Sequence, residues 1–204
     1  MSSLSNGIEM MLKTWAQSGF RNPFESGDES EIEKSINACI HSHSIGAAIS
    51  ALAAGLLPGA GAVVATVISG GVIWKMYFSI NSKLGLKLGD ATVKTVASAI
   101  GANVVQYVIG AILIDVVLSF IPGVNLLATA ALGAACYVAV YASAHIYIRL
   151  LTNIFKSGKT LDDLTAEEMR SKADEMAKSV NMKEIVEEGK AKFKEAKNSG
   201  ELKK

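Results

Sequence analysis

Charged residues are missing from two long stretches of the chain, and that gap in the polar pattern organises the rest. From Ser35 to Trp74 there is no Asp, Glu, Lys or Arg across 40 residues, and from Thr95 to Ile148 the one charged residue is Asp115. About 20 apolar residues already cross a hydrocarbon layer of roughly 30 Å, so each run is long enough for two crossings. A proline-glycine pair interrupts each run, Pro58 and Gly59 in LAAGLLPGAGAVVATV and Pro122 and Gly123 in VLSFIPGVNLLATAAL. Proline removes a backbone donor and disfavours helix at the residue before it, while glycine permits the reversal that follows. The pattern predicts two helical hairpins turning at these pairs, with helices over Ile36–Leu57, Ala60–Ile80, Val93–Ile121 and Val124–Phe155. LLPGAGAVVAT and FIPGVNLLATA also align at a spacing of 64 residues, which puts Tyr77 opposite Tyr141. Shared hydropathy would produce the same likeness.

The flanks follow a different period. Leu4, Ile8, Met11, Leu12 and Trp15 recur at three-and-four spacing, which predicts an amphipathic helix able to lie on a membrane surface or to pack on protein. Glu25 to Lys34 reads as an acidic, Ser-rich linker. Beyond Gly158, Glu and Lys alternate densely, and Thr165 with Glu168 forms a capping-box pattern. A solvated charged helix with a frayed end is the expectation there. The chain thus divides into an N-terminal segment over 1–34, a membrane-embedded four-helix domain over 35–156 and a soluble charged tail over 157–204. The predicted class is all-α: an integral membrane protein of two helical hairpins, four long apolar helices in all, flanked by an amphipathic N-terminal helix and charged C-terminal helices.

The apolar segments are rich in Ala, Gly, Val and Ile. In lipid, helices associate through close approach at small residues, and Ala47 with Ala51, Ser69 with Gly70, and Ala135, Ala139 and Ser143 are the candidate contact positions. A soluble bundle with an Ala-rich core is the alternative. Lys34, the group Lys75, Lys83, Lys87 and Lys94, and the group Arg149, Lys156 and Lys159 flank the helices, whereas the PGAG and PGVN turns carry no charge. Basic residues stay on the cytoplasmic side. Both termini and the middle link are therefore expected in the cytoplasm, at a bacterial inner membrane, with the neutral turns at the far face or within the bilayer. Trp74, Lys75, Tyr77, Arg149, Lys156 and Lys159 are the expected interfacial anchors. Residues 1–34 lack a basic start followed by an apolar block, so no secretory signal is expected. Cys39 and Cys136 lie one in each apolar run and read as buried free thiols.

Candidate chemistry changes this picture little. NIFKSGKT, Asn153 to Thr160, ends like a phosphate-binding loop, but Asn153 stands where the first glycine belongs and an apolar helix precedes it instead of a strand. Gly158 there suits a helix C-cap, and no nucleotide is expected. Cys39, His41 and His43 form a C-x-H-x-H string, but on a helix His41 points away from the other two and only distant His145 offers itself as a fourth ligand. No metal and no cofactor are expected. Asp115, inside a predicted apolar helix, is costly unless it faces water or a partner; with Gln106 it is the candidate pore or oligomer contact. Nearly all carboxylates fall in the tail, which supports no acid-base constellation and no enzyme. The net charge of +1 and the lack of a basic stripe speak against nucleic acid.

The stretch LIDVVLSFIPGVNLLATAALGAACYVAVYASAHIYIRLLTNIFKSGKTLDDLTAEEM, with its Ile-Pro-Gly, its small-residue helix ending near Tyr and Arg, and its Gly-Lys-Thr-Leu-Asp-Asp before an acidic helix, resembles the second half of an uncharacterised bacterial membrane-domain family often found fused behind Era-like GTPase domains. LAAGLLPGAGAVVATVISGGVIWKMYFSINSKLGLKL looks like that family's first hairpin, and the resemblance spans about Ile36 to Met176. It implies a membrane anchor or membrane-acting partner for a GTPase. The 35 residues upstream are too few for a GTPase domain, so the switch would come from a separate polypeptide. The resemblance implies no catalytic residue.

The expected function is a non-enzymatic, self-associating scaffold, membrane-shaping protein or GTPase-partner adaptor, with the lipid bilayer and further copies of the chain as partners. The alternative is an oligomeric pore or channel lined by the helix over 93–121.

Overall fold

The computed structural model describes residues 2–17, 29–54, 61–86, 89–118, 124–159 and 163–203. Among them are seven α-helices and no strand: α1 Ser3–Gln17, α2 Glu29–Ala54, α3 Gly61–Lys83, α4 Asp90–Leu118, α5 Val124–Lys156, α6 Ala166–Ser179 and α7 Met182–Asn198, with a closing 3-10 turn at Glu201–Lys203. The turn residues Pro58, Gly59, Pro122 and Gly123 lie outside the described residues. The four apolar helices stand where charge and proline place them, but two run past the expected starts. α2 begins at Glu29, seven positions before Ile36, because Ile32 and Ile36 continue its buried face through the charged stretch. α4 begins at Asp90, which lies in its first turn and forms an i,i+4 pair with Lys94 at 2.9 Å.

α5 is the axis of the molecule. Tyr137, Val138, Val140, Ala142, Ala144, Ile146, Tyr147, Ile148, Leu150 and Leu151 point in every direction around it, and all are buried. A helix apolar all round must be surrounded, and here α1, α2, α3, α4, α6 and α7 all contact it. Small residues allow the closest approach: a Cβ on Gly133 would stand 2.9 Å from the Leu52 side chain and 3.5 Å from the Ala48 carbonyl oxygen of α2. Ala47, Ala51, Ala135, Ala139 and Ser143 are buried, as expected of contact positions, whereas Gly70 is exposed and the side chain of Ser69 lies outside the described residues.

The core between α3 and α5 carries an aromatic pair. Tyr77 and Tyr147 stack with ring centroids 4.0 Å apart and planes inclined by 12°. The Tyr77 hydroxyl donates to the Ser143 carbonyl at 2.8 Å and the Tyr147 hydroxyl to Asn81 Oδ1 at 2.6 Å. Turn chemistry ends the helices. After α3, Gly85 adopts φ 65° while the Leu86 amide reaches back to the Asn81 carbonyl at 2.8 Å, the helix-ending pattern that a left-handed glycine permits.

The C-terminal region is packed on the hairpins, not solvated alone. α6 buries Met169, Ala173 and Ala177, and α7 buries Ile185, Val186 and Gly189. The expected tail of 157–204 is therefore a sheath: its apolar stripe is narrow, but α4 and α5 offer a surface that fits it. α1 does the same, burying Leu4, Ile8, Met11, Leu12 and Trp15 against α5 and α2. Among the described residues one helical stretch, Ala130–Lys156, is long and apolar enough to cross a membrane, and most of it is buried inside the protein. Four crossings find no support among these residues.

Candidate functional site at the junction of α1, α5 and α7

One carboxylate ties three helices together. α7 comes close to α5 because Gly189 has no side chain: a Cβ there would meet Val138 Cγ1 at 3.2 Å and Tyr141 Cδ1 at 3.3 Å. Glu188, the preceding residue, then reaches into the junction. Its Oε1 accepts from the Ser3 amide at 3.0 Å and the Tyr141 hydroxyl at 2.9 Å. Its Oε2 accepts from the Ser3 hydroxyl and lies 3.7 Å from His145 Nε2. Thus the start of α1 is fastened to α7 and to two residues of α5 one turn apart.

Electrostatics sharpen the roles. Burial pushes the His145 imidazole down to about 4; the Glu188 charge opposes this and Arg149 adds to it. His145 is therefore neutral at pH 7, and although it sits within ion-pairing distance of Glu188 the contact is not a salt bridge. For Glu188 burial alone pushes the carboxyl up, but the hydrogen bonds from Ser3 and Tyr141 hold it below the usual carboxylate range. Tyr141 is pushed up, by burial first and then by the Glu188 charge and hydrogen bond.

Ser3, His145 and Glu188 together suggest a nucleophile relay, and the geometry does not make one. In a relay the serine and the acid engage opposite ring nitrogens. Here Ser3 Oγ, at 3.5 Å, and Glu188 both face Nε2, and the serine hydroxyl donates to the carboxylate itself. The arrangement is a fastening.

Beside it, a groove of about 500 Å³ opens between α1 and α5 and is bounded by Met176 and Ser179 of α6. Leu4, Met10 and Ile148 supply apolar walls, and Arg149 and Lys156 stand exposed along it. A second polar junction joins α2, α5 and the closing turn: His41 Nδ1 lies 3.3 Å from the Tyr137 hydroxyl and Nε2 lies 2.7 Å from Glu201 Oε2. Burial first, then the charges of Glu201 and Glu195, push Tyr137 up to about 12.

Of the residues singled out from sequence, Arg149 and Lys156 share the groove between α1 and α5. Gln106 is exposed on α4; Asp115 falls within α4, but its side chain lies outside the described residues. Lys75, Arg149, Lys156 and Lys159 are exposed, and Trp74 is half-buried with the Lys94 ammonium 5.0 Å from its ring centre. Tyr77 departs from its expected interfacial place, because the α3 face it shares with Ile73, Met76 and Ile80 is the one turned to α5. Cys39 Sγ lies 3.6 Å from His43 Nδ1 while His41 turns to Tyr137 and Glu201, and no group of three or more metal-ligating side chains occurs among the described residues. Gly158 is a left-handed terminator of α5, with φ 68° and its amide on the Phe155 carbonyl at 3.0 Å.

Sequence reasoning missed Glu188, because one glutamate among many in an alternating Glu/Lys helix carries no mark. Its one local signal is the neighbouring Gly189, a small residue inside a helix, where glycine is unfavourable unless something packs closely. Comparison with family models, with curated proteins and with solved structures returns no match. The family resemblance rests on the residues quoted for it.

Proposed function

We propose that this chain is a non-enzymatic, membrane-associated scaffold whose hairpin tips enter the lipid while its sheathed base stays on the cytoplasmic face. One observation carries the reading: among the described residues, α1 and α7 are seated toward the C-terminal end of α5. The contacts that place α1 and α7 on α5 run from Tyr137, touched by Phe193, to Phe155, touched by Trp15. Toward the turns the chain remains apolar, from Gly46 to Val72 and from Ile109 to Gly133, with Asp115 as the one charge. Val124 to Gly133 of α5 adds about 15 Å at 1.5 Å per residue, half of the roughly 30 Å hydrocarbon layer. A tip of that depth matches insertion into one leaflet better than crossing.

Flotation with phosphatidylcholine vesicles tests this. The chain is expected to float, and Leu57→Lys with Ile121→Lys, one charge at each turn, is expected to leave it in the soluble fraction, since each buried charge costs about 3 kcal/mol on insertion scales. A chain that stays soluble with vesicles, or floats equally well with both lysines, refutes the reading.

Self-association draws support from the open face of α3 and α4, where Gly70, Gly71 and Phe78 and, on α4, Tyr107 are exposed, Phe78 at 52% and Tyr107 at 44%. A separate GTPase as partner rests on the resemblance alone. The pore is the second reading, on the strength of Gln106 exposed on α4 and Asp115 two turns further along. Dye release from liposomes that is lost in Asp115→Leu would favour it over the scaffold.

A further inference from the structure

The groove between α1 and α5 has a chemistry of its own. Leu4 and Met10 of α1, Ile148 of α5 and Met176 of α6 line it beside the polar Asn6, Thr152 and Ser179, and among the described residues no Asp or Glu does. Two cations stand on its rim. Arg149 is exposed and has no hydrogen-bond or ion-pair partner among the described residues, and the one polar contact of the Lys156 ammonium there is the Met10 thioether at 4.0 Å. Both cations occupy the last two turns of α5, seven residues apart and so on one face of the helix. Some lysines elsewhere on this surface are held by a carboxylate, as Lys13 by Glu9, Lys94 by Asp90 and Lys192 by Glu195, and these two are not among them. Two exposed cations beside a groove of about 500 Å³ with methionines on two of its walls are complementary to a molecule with an anionic head and a hydrocarbon tail. That volume falls within the range of small-molecule sites, which are mostly apolar with a few polar groups fixing orientation. Methionines on two walls suit a flexible chain, since the unbranched thioether adapts to irregular shapes.

We infer that this groove binds a medium-chain alkyl carboxylate, its head held by Arg149 and Lys156 and its tail laid between Met10, Ile148 and Met176. The planar guanidinium fork matches a carboxylate in two parallel hydrogen bonds, and the lysine adds a point charge. The tail replaces water along the exposed Met10 and the half-buried Met176, and the gain rises with the apolar area covered. Because α1 forms one wall, an occupant bridges α1 to α5 and strengthens the attachment that Glu188 makes through Ser3. The site lies at the base of the hairpins, so it stands whether or not the tips insert.

The test uses the full chain in phosphatidylcholine nanodiscs, with empty nanodiscs as the blank for partitioning. Octanoate, octyltrimethylammonium and inorganic phosphate are each titrated while the melting temperature is followed. Octanoate is expected to raise the melting temperature in a saturable way, as a ligand of the folded state does; the cationic amphiphile and phosphate are expected to leave it unchanged. Arg149→Gln with Lys156→Gln, both exposed changes, is expected to weaken octanoate by about tenfold or more, the range for loss of charged hydrogen bonds. No response to octanoate overturns the proposal, as does an equal response to octyltrimethylammonium, an equal response to phosphate alone, or unchanged octanoate affinity in the double variant. The head-group comparison on the unmodified chain decides the matter even where the double variant fails to fold.

Discussion

At the scale of single residues the junction around Glu188 sets the response to acid. His145 is neutral in the folded protein because burial lowers it to about 4, whereas in the unfolded chain it titrates near its ordinary 6.5. Between those values the unfolded state binds more protons, so stability rises with pH across the window and falls as pH drops from about 6.5 toward 4. Glu188, held low in the fold, adds a loss in the same direction at still lower pH, as its carboxylate takes up a proton and surrenders the Ser3 and Tyr141 hydrogen bonds. Chemical denaturation at pH 7 and pH 5 is expected to show the decline, and His145→Gln is expected to flatten it above pH 5. Glu188→Ala is expected to cost about 2 kcal/mol, because the partly buried Tyr141 hydroxyl loses its acceptor. Gly133 has the opposite constraint. Gly133→Leu drives a side chain into Leu52 and is expected to lower stability by about 1–3 kcal/mol in the same denaturation assay.

At the scale of elements, some signals were legible and others not. Leu4, Ile8, Met11, Leu12 and Trp15 predicted α1 and its buried face, since a three-and-four period leaves one solution for a helix with one wet side. Thr165 and Glu168 form the capping box, with the Glu168 amide donating to Thr165 Oγ1 at 3.2 Å and the Thr165 amide donating to Glu168 Oε2 at 2.8 Å. Gly158 ends α5 as its residue type suggests. By contrast, the packing of α6 and α7 was not visible, because Met169, Ala173 and Ala177 form a thin stripe that solvated helices also carry. α2 and α4 start earlier than the charge pattern predicts, because a charged first turn is compatible with a buried face opposite. Trp15→Ala tests whether α1 is an integral element. Its ring lies edge-on to Phe155 at 4.7 Å and is 8% exposed, so the change is expected to cost about 3–5 kcal/mol and to raise protease cleavage within α1.

At the scale of the whole molecule the question is depth. A wedge in one leaflet leaves the 58–59 and 122–123 turns inside the lipid, whereas a crossing carries them to the far side. With an epitope placed after Gly59 in proteoliposomes of one orientation, the wedge predicts no antibody access from either side without detergent. Asp115→Leu is expected to leave vesicle flotation intact and to change oligomeric size by crosslinking, because an ionisable group in the apolar part of α4 needs a partner or water. Unchanged size removes Asp115 from the subunit contact.

What the sequence determined by itself is the helical class, the four apolar helices, the capping residues and the amphipathic face of α1. Each of these is fixed by local chemistry: a period of 3.6, a hydroxyl that caps free amides, a glycine that can take positive φ. The tertiary structure alone decided what surrounds α5. A helix apolar on every side satisfies a bilayer and a protein core equally well, so no pattern within Ala130–Lys156 distinguishes them. The choice came from α1, α6 and α7, distant in sequence, whose narrow stripes close over its base, and from Glu188, whose three-way fastening exists only once those helices have met.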